Sequence, residues 1–225
     1  MKNLPRNNEA YTKLANEYEK KLNYSAKEYL LKNAIGQHIK SGSKIAVIGA
    51  GTGYDIKLIN ELKKNCTIIG IEPNKKLFQK SKNLFEKIRK NKIFLYNIKA
   101  EEFGNKFRNF DCVLFSYSLH EVLDKRKGKK TLLDIIKRFK NKLKSKGILI
   151  IIDFEYCEEC DEKKLNRWKN KIVKDLGHWH EKREIFYRRE ILKTSSKYFK
   201  KIHEYNLKKA KYRISNEYSL VLKKL

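Results

Sequence analysis

Three glycines at alternate positions, Gly49, Gly51 and Gly53, break an apolar run, and a carboxylate, Glu72, ends the next one. Glycine at this spacing lets the backbone turn tightly and lets a ligand approach where a Cβ would block it. An acid about 20 residues on, at the tip of the following strand, is placed to accept hydrogen bonds from ribose hydroxyls. Together they predict a nucleoside-bearing cofactor at the edge of a parallel sheet. The dinucleotide fingerprint G-x-G-x-x-G would need a third glycine at position 54, where this chain has Tyr54.

Two further groups carry reactive side chains. His120-Glu121 follows an apolar run. An imidazole with an ordinary pKa of about 6.5 is a candidate general base, or else a structural residue of the loop. Cys157-x-x-Cys160, with His178 and His180 further on, has the types of a zinc set. The acids around the two cysteines and the His-x-His spacing leave three readings open: a metal site, a redox or substrate-binding thiol pair, and no special role. Cys66 and Cys112 fall in apolar runs, so four cysteines do not make a disulfide framework.

The elements that must position these residues follow from periodicity. Residues 7–40 read as one or two helices, with Tyr11, Leu14, Tyr18 and Leu22 at helical spacing. Strands are expected at 44–48, 66–72, 93–98, 111–115 and 148–154, each a near-continuous apolar run suited to a sheet covered on both faces. A helix begins near Tyr54 and carries Ile56, Ile59 and Leu62. Another starts after an Asn74 N-cap and bears Leu77, Leu84, Phe85 and Ile88. Residues 131–143 form a helix with the stripe Leu132, Ile135, Ile136, Phe139, Leu143, and Gly147 is expected to close it in a left-handed turn. Helices are also expected at 162–176 and 187–193, and strands at 198–207 and 213–224. Alternating strands and helices give an open α/β sheet. No repeat or linker interrupts the chain, and its two prolines, Pro5 and Pro73, mark no hinge.

With the glycines one residue closer than in dinucleotide enzymes, Gly49-x-Gly51-x-Gly53 resembles the first motif of the class I S-adenosylmethionine (SAM)-dependent methyltransferases. Gly70-Ile71-Glu72-Pro73-Asn74 resembles their second motif, and Lys99-Ala100-Glu101-Glu102-Phe103 the stretch beside the adenine. Residues 110–120 resemble the fourth strand and its exit loop, and residues 144–150 the glycine turn into the fifth. The resemblance implies a Rossmann-like, seven-stranded, mostly parallel sheet with helices on both faces, completed by a C-terminal antiparallel hairpin. It implies that Gly49, Gly51 and Gly53 cradle the methionine part of SAM, and that Glu72 binds the ribose diol. Ala100 and Glu101 would flank the adenine, with Glu102 and Lys99 as rivals for that slot. Ser116 and Tyr117 would lie near the transferable methyl.

Tyr11 and Tyr18 are either a core stripe or, as in small-molecule members, part of a helix closing over SAM. Trp179, Arg183 and Tyr187 fall where the family builds its substrate pocket. One departure stands out: Val47 occupies the position, two before the first glycine, where many members carry an acid. The implied layout is one domain over 1–225, with a helical cap at 1–40, a SAM-binding core at 41–155, and substrate-side and terminal strands at 156–225.

The formal net charge of +28 bears on partners. Of 54 basic residues 44 are Lys, spread along the whole chain, which fits either a composition-driven solvated surface or a polyanion-binding one. No stretch approaches the roughly 20 apolar residues needed to span a bilayer, and the N-terminus lacks the core of a signal peptide, so a cytoplasmic protein is expected. The expected activity is methyl transfer to a small-molecule acceptor. An RNA methyltransferase using the basic surface and a non-catalytic SAM-binding protein are the alternatives. Against the first, no Asn/Asp-Pro-Pro-Tyr/Phe sequence follows the fourth strand, which ends Phe115-Ser116-Tyr117-Ser118.

Overall fold

In the computed structural model the described residues are 24–86, 90–104, 107–123, 129–156, 163, 165–166, 169, 187–207 and 215–225. In chain order they form α1 (Tyr24–His38), β1 (Lys44–Ile48), α2 (Tyr54–Leu62), β2 (Thr67–Ile71), α3 (Lys75–Phe85) and β3 (Lys92–Tyr96). A 3₁₀ turn (Ala100–Glu102), β4 (Phe110–Ser116), α4 (Leu119–Val122), α5 (Lys129–Lys142) and β5 (Leu143–Tyr156) follow, then α6 (Arg188–Ser195), β6 (Phe199–Leu207) and β7 (Ser215–Lys224). Of the helix expected at 162–176, Lys163, Leu165, Asn166 and Lys169 are helical and the remainder lies outside the described residues.

The seven strands form one sheet in the order β3-β2-β1-β4-β5-β7-β6. Strands β1 to β5 are parallel to one another, and β7 runs antiparallel to both β5 and β6. Strand β1 lies between β2 and β4, so the strand order reverses at that point. In an open α/β sheet such a switch point opens a crevice beyond the strands' carboxyl ends. Gly49 leaves β1 there, Glu72 leaves β2, and Tyr117 leaves β4.

Alternation along the strands splits the core into two layers. Ala46, Ile48, Val113, Phe115, Leu149 and Ile151 face α5, whose Leu132, Ile135, Ile136 and Phe139 are all buried. Ile45, Val47, Cys112, Leu114, Ile150 and Ile152 face α1 and α2 through Leu30, Leu31, Ile35, Ile56 and Ile59. Leu62 and Leu84 depart from their expected stripes: both side chains are substantially exposed at the rims of their helices.

Gly147 does not close α5 in a left-handed turn. The left-handed residue is Lys146, with φ 60°, and Gly147 lies within β5, which begins directly at Leu143. Between the pairs Phe110↔Leu143 and Cys112↔Ile148 the register shifts, so the extra residues of β5 bulge out. A Cβ on Gly147 would lie 3.0 Å from the Leu143 Cβ and from the Lys144 carbonyl oxygen, a tight fit that glycine relieves at the bulge. Among the described residues no helix is long and apolar enough to cross a membrane.

Candidate functional site at the sheet's carboxyl edge

The glycine loop is built by backbone hydrogen bonds from one strand tip. The amides of Gly49 and Ala50 both donate to the Ile71 carbonyl, at 2.9 and 2.8 Å, which bends the chain off β1 across the end of β2. Gly49, Gly51 and Gly53 all take positive φ, at 73°, 56° and 95°. Their reasons for being glycine differ. A Cβ on Gly49 would strike the Ser118 Cβ at 2.6 Å, and one on Gly53 would strike Phe85 at 2.6 Å and Ser81 at 2.8 Å. At Gly51 a Cβ would meet no atom within 4 Å, so this residue faces open space.

Glu72 locks the loop. One carboxylate oxygen accepts the Gly51 amide at 2.8 Å and the other accepts the Asn74 amide at 2.8 Å. The side chain is buried, and burial pushes its pKa from the ordinary 4.5 to about 6. The two amides hold that rise back, and the nearby Glu121 carboxylate adds to it. Each oxygen keeps a second lone pair, so the carboxylate can accept further hydrogen bonds. Asn74 caps α3 through its side-chain oxygen, which accepts the Lys76 and Leu77 amides, as its position before the helix predicts.

The remaining expected residues lie around this centre. Ala100 is buried at the start of the 3₁₀ turn, whereas Glu101 is exposed. Its rival Glu102 accepts the Lys99 amide within the turn. Ser116 ends β4 with its hydroxyl buried and, among the described residues, without a hydrogen-bond partner. Tyr117 has left-handed backbone, φ 51°, its amide bonded to the Ile152 carbonyl at 2.7 Å. Its ring turns to the α1 side of the sheet, and its hydroxyl donates to Glu217. Burial, then the Glu217 charge, hold that phenol well above its ordinary range. Tyr11, Tyr18, Cys157, Cys160, His178, His180, Trp179 and Arg183 lie outside the described residues.

The His120 side chain, 7% exposed, is held on both sides on α4. Its Nδ1 lies 2.6 Å from Asp153 and its Nε2 3.4 Å from Glu121, and its amide donates to Asp153 at 3.2 Å. Burial alone would depress the imidazole, but the Asp153 carboxylate and then Glu121 outweigh it and hold the pKa at about 10. At neutral pH the ring is therefore an imidazolium with both nitrogens donating. It has no lone pair with which to take a proton, so this geometry does not provide the general base that the sequence makes His120 a candidate for.

Several residues of this edge escape the sequence reading. Asp153 carries the same signal that marks Glu72, an acid at the tip of an apolar strand, and was readable on that ground. Ser118 donates to the Ile48 carbonyl at 2.6 Å and pins the β4 exit to β1. Lys27 of α1 pairs with the buried Asp55 at 2.8 Å, and Glu28 accepts the Tyr54 hydroxyl at 3.0 Å, so α1 is fastened to the first turn of α2. Asp55 is thus a paired acid as well as a first-turn one. Glu217 sits near the start of β7 and reaches this edge only because β7 runs antiparallel, which no local pattern announces. Among the described residues no group of three or more His, Cys, Asp or Glu is placed to hold a metal ion.

Residues 47–149 match the protein family described as "Methyltransferase domain". No curated protein matches the chain. Solved structures share its fold at low identity. The cyclopropane synthase MmaA2 from Mycobacterium tuberculosis superposes with a TM-score of 0.68 at 12% identity, covering 92% of this chain and 87% of that one. A SAM-dependent methyltransferase from Aquifex aeolicus gives 0.61 at 13% identity, over 94% and 98% of the two chains. A geranyl diphosphate methyltransferase, in complex with its diphosphate and sinefungin, gives 0.64 at 11% identity, over 91% and 78%.

Proposed function

We propose that the chain is a class I SAM-dependent methyltransferase, that the crevice beyond β1, β2 and β4 holds SAM, and that the acceptor is a small molecule. One observation carries the reading of the site. The Gly51 amide donates to a buried carboxylate, Glu72, at a loop residue whose missing side chain leaves open space. That is what a bound adenosyl group needs: a backbone that can be approached closely, and an ordered acceptor for two vicinal hydroxyls. The orphaned Ser116 hydroxyl, buried at the same edge, is a further polar atom that a ligand would satisfy.

In this reading Gly49, Gly51 and Gly53 leave room for the methionine part, Glu72 accepts the ribose hydroxyls, Ala100 packs beside the adenine, and Ser116 faces the reacting end. Bound there, SAM supplies a methyl group on a sulfonium, an already activated leaving group. The protein's part is therefore to exclude water and to align the acceptor, and such alignment is the larger share of catalysis here. His120 positions the edge as a cation between Asp153 and Glu121 rather than moving a proton. Tyr11, Tyr18, Trp179 and Arg183 remain candidates for the acceptor side, and Glu101 for the adenine. The cytoplasm is the compartment this reading expects.

The test is calorimetric titration with SAM and S-adenosylhomocysteine, followed by incubation with labelled SAM and, separately, a small-molecule extract and total RNA. Label in the small-molecule fraction supports the proposal. Label in RNA that persists at about 0.3 M salt, where simple charge attraction has faded, would replace it with the RNA reading. SAM binding without any labelled product would favour a non-catalytic protein.

A further inference from the structure

We propose that the acceptor is an amine that enters as its ammonium ion, and that Glu217 is the carboxylate that holds it and takes its proton. The inference rests on the methyltransferase reading and adds the acceptor's chemical class and the residue that selects it.

Placement comes first. Glu217 pairs with Phe154 at the carboxyl end of β5, and the Tyr117 hydroxyl reaches it from the β4 exit. The acid therefore stands beside the loop expected to face the reacting end of the cofactor. Tyr117 makes this contact from a left-handed backbone that a bulky residue rarely adopts. Strain of that kind persists where the surroundings impose it, commonly at ligand sites.

Charge comes next. The other buried acids at this edge each have amides or a cation within the protein. Glu72 accepts two amides, Asp153 faces the His120 imidazolium, Glu155 is paired with Arg188 at 2.8 Å, and Asp55 with Lys27 at 2.8 Å. Glu217 has the Tyr117 hydroxyl and, among the described residues, no ion-pair partner. Its acidity responds to burial, which raises its pKa, and to that hydroxyl, which lowers it; no cation among the described residues contributes. Lys27, which stands over the Tyr117 ring at 5.7 Å, is committed to Asp55. Among the described residues neither Glu72 nor Glu217 has a cation, but Glu72 is held by two backbone amides and Glu217 by one hydroxyl, so Glu217 is the buried carboxylate with the most unmet demand for positive charge.

A second, independent feature lies on the same face. Ser116, Ile152 and Ser219 stand in one row across β4, β5 and β7, and Glu217 is two residues along from Ser219. The hydroxyls of Ser116 and Ser219 are both buried and, among the described residues, without a hydrogen-bond partner, with Ser116 4% and Ser219 0% exposed. A carboxylate with one hydrogen bond and, on the same sheet face, two hydroxyls with none leave acceptor lone pairs that an ammonium's three N–H donors can satisfy more fully than the single donor of an alcohol or thiol.

The chemistry balances. A proton passes from the ammonium nitrogen to the Glu217 carboxylate, the freed lone pair bonds to the methyl carbon, and the carbon–sulfur bonding pair goes to sulfur. The products are a methylated ammonium, S-adenosylhomocysteine and protonated Glu217, which returns its proton to water.

The experiment has two arms. Wild-type protein is incubated with labelled SAM and a small-molecule extract, and the methylated atom is identified by mass spectrometry. In parallel, hexylammonium and hexanol are titrated into wild type and Glu217→Gln, each saturated with S-adenosylhomocysteine. Expected results are an N-methyl product, and a preference of roughly tenfold or more for hexylammonium that Glu217→Gln loses, with transfer reduced about 100-fold and SAM affinity unchanged. Methylation at oxygen, sulfur or carbon, an undiminished preference in the variant, or a variant that fails to bind SAM would each overturn the assignment. Should Glu217→Gln not fold, the atom methylated by wild type decides alone. Failure of the methyltransferase reading looks different: wild type then neither binds SAM nor forms any labelled product.

Discussion

Replacing Glu72 by Gln separates the cost of this carboxylate from its use. In the folded protein its pKa is about 6, against an ordinary 4.5. The folded state therefore binds protons more tightly than the unfolded chain, and stability falls as pH rises from about 4.5 through about 6. Above that window the ionised, buried group costs about 2 kcal/mol, and at pH 4.5 only about 0.4 kcal/mol. Gln removes this cost but turns an amide donor towards one of the two backbone N–H groups that the carboxylate accepts. That mismatch costs about 1–1.5 kcal/mol. The ligand-free variant should then be more stable than wild type by about 0.5–1 kcal/mol at pH 7.5, and less stable by a similar amount at pH 4.5. The change of about 1.6 kcal/mol between the two pH values does not depend on the hydrogen-bond figure. Urea unfolding at both pH values measures it. In the same variant SAM affinity at pH 7.5 should drop by about 1.5–3 kcal/mol, roughly 10- to 150-fold, because the ribose loses a charged acceptor. An equal stability change at both pH values would refute the buried, raised carboxylate, and undiminished SAM binding would refute its role at the ribose.

The glycines give a paired test. Gly53→Ala should destabilise by about 2–4 kcal/mol, from left-handed backbone plus the collision with Phe85 and Ser81, whereas Gly51→Ala should cost about 1 kcal/mol in stability and show its larger effect on SAM affinity; thermal unfolding and calorimetry distinguish them. Wild-type His120 should stay protonated at pH 8 by NMR and titrate near 10; in Asp153→Asn burial, no longer outweighed by that carboxylate, should pull the pKa down. Because the folded pKa is raised, the stability His120 contributes is present below about 6.5 and lost towards pH 10 in wild type, and the variant should lack that alkaline loss. Asp55→Asn leaves the Lys27 ammonium, 13% exposed, without its carboxylate; a cost of up to about 3–5 kcal/mol should appear as faster proteolysis within α1.

Much of the frame was readable because its signals are local. The apolar runs of β1, β2 and β4 end within a residue or so of their expected bounds, and the caps at Asn74 and the glycine loop fall where backbone geometry demands them. Gly147 was misread for a physical reason. A glycine after a helix and a glycine clearing a strand bulge look alike in sequence, and only the register of β5 against β4 tells them apart. His120 was legible as a titratable group but not as a cation, because its acidity is set by Asp153, 33 residues away.

The chain alone thus determined the glycine turn, the acid at the tip of β2 and the strand-and-helix alternation, since each depends on neighbours a few residues apart or on their order. Tertiary structure decided the rest. Folding brought Glu217 from the far end of the chain to the Tyr117 hydroxyl, joined Asp153 to His120, and fastened Lys27 of α1 to Asp55. Charge, burial and hydrogen bonding act through space, so which carboxylate is compensated and which awaits a partner is settled only once the strands are side by side.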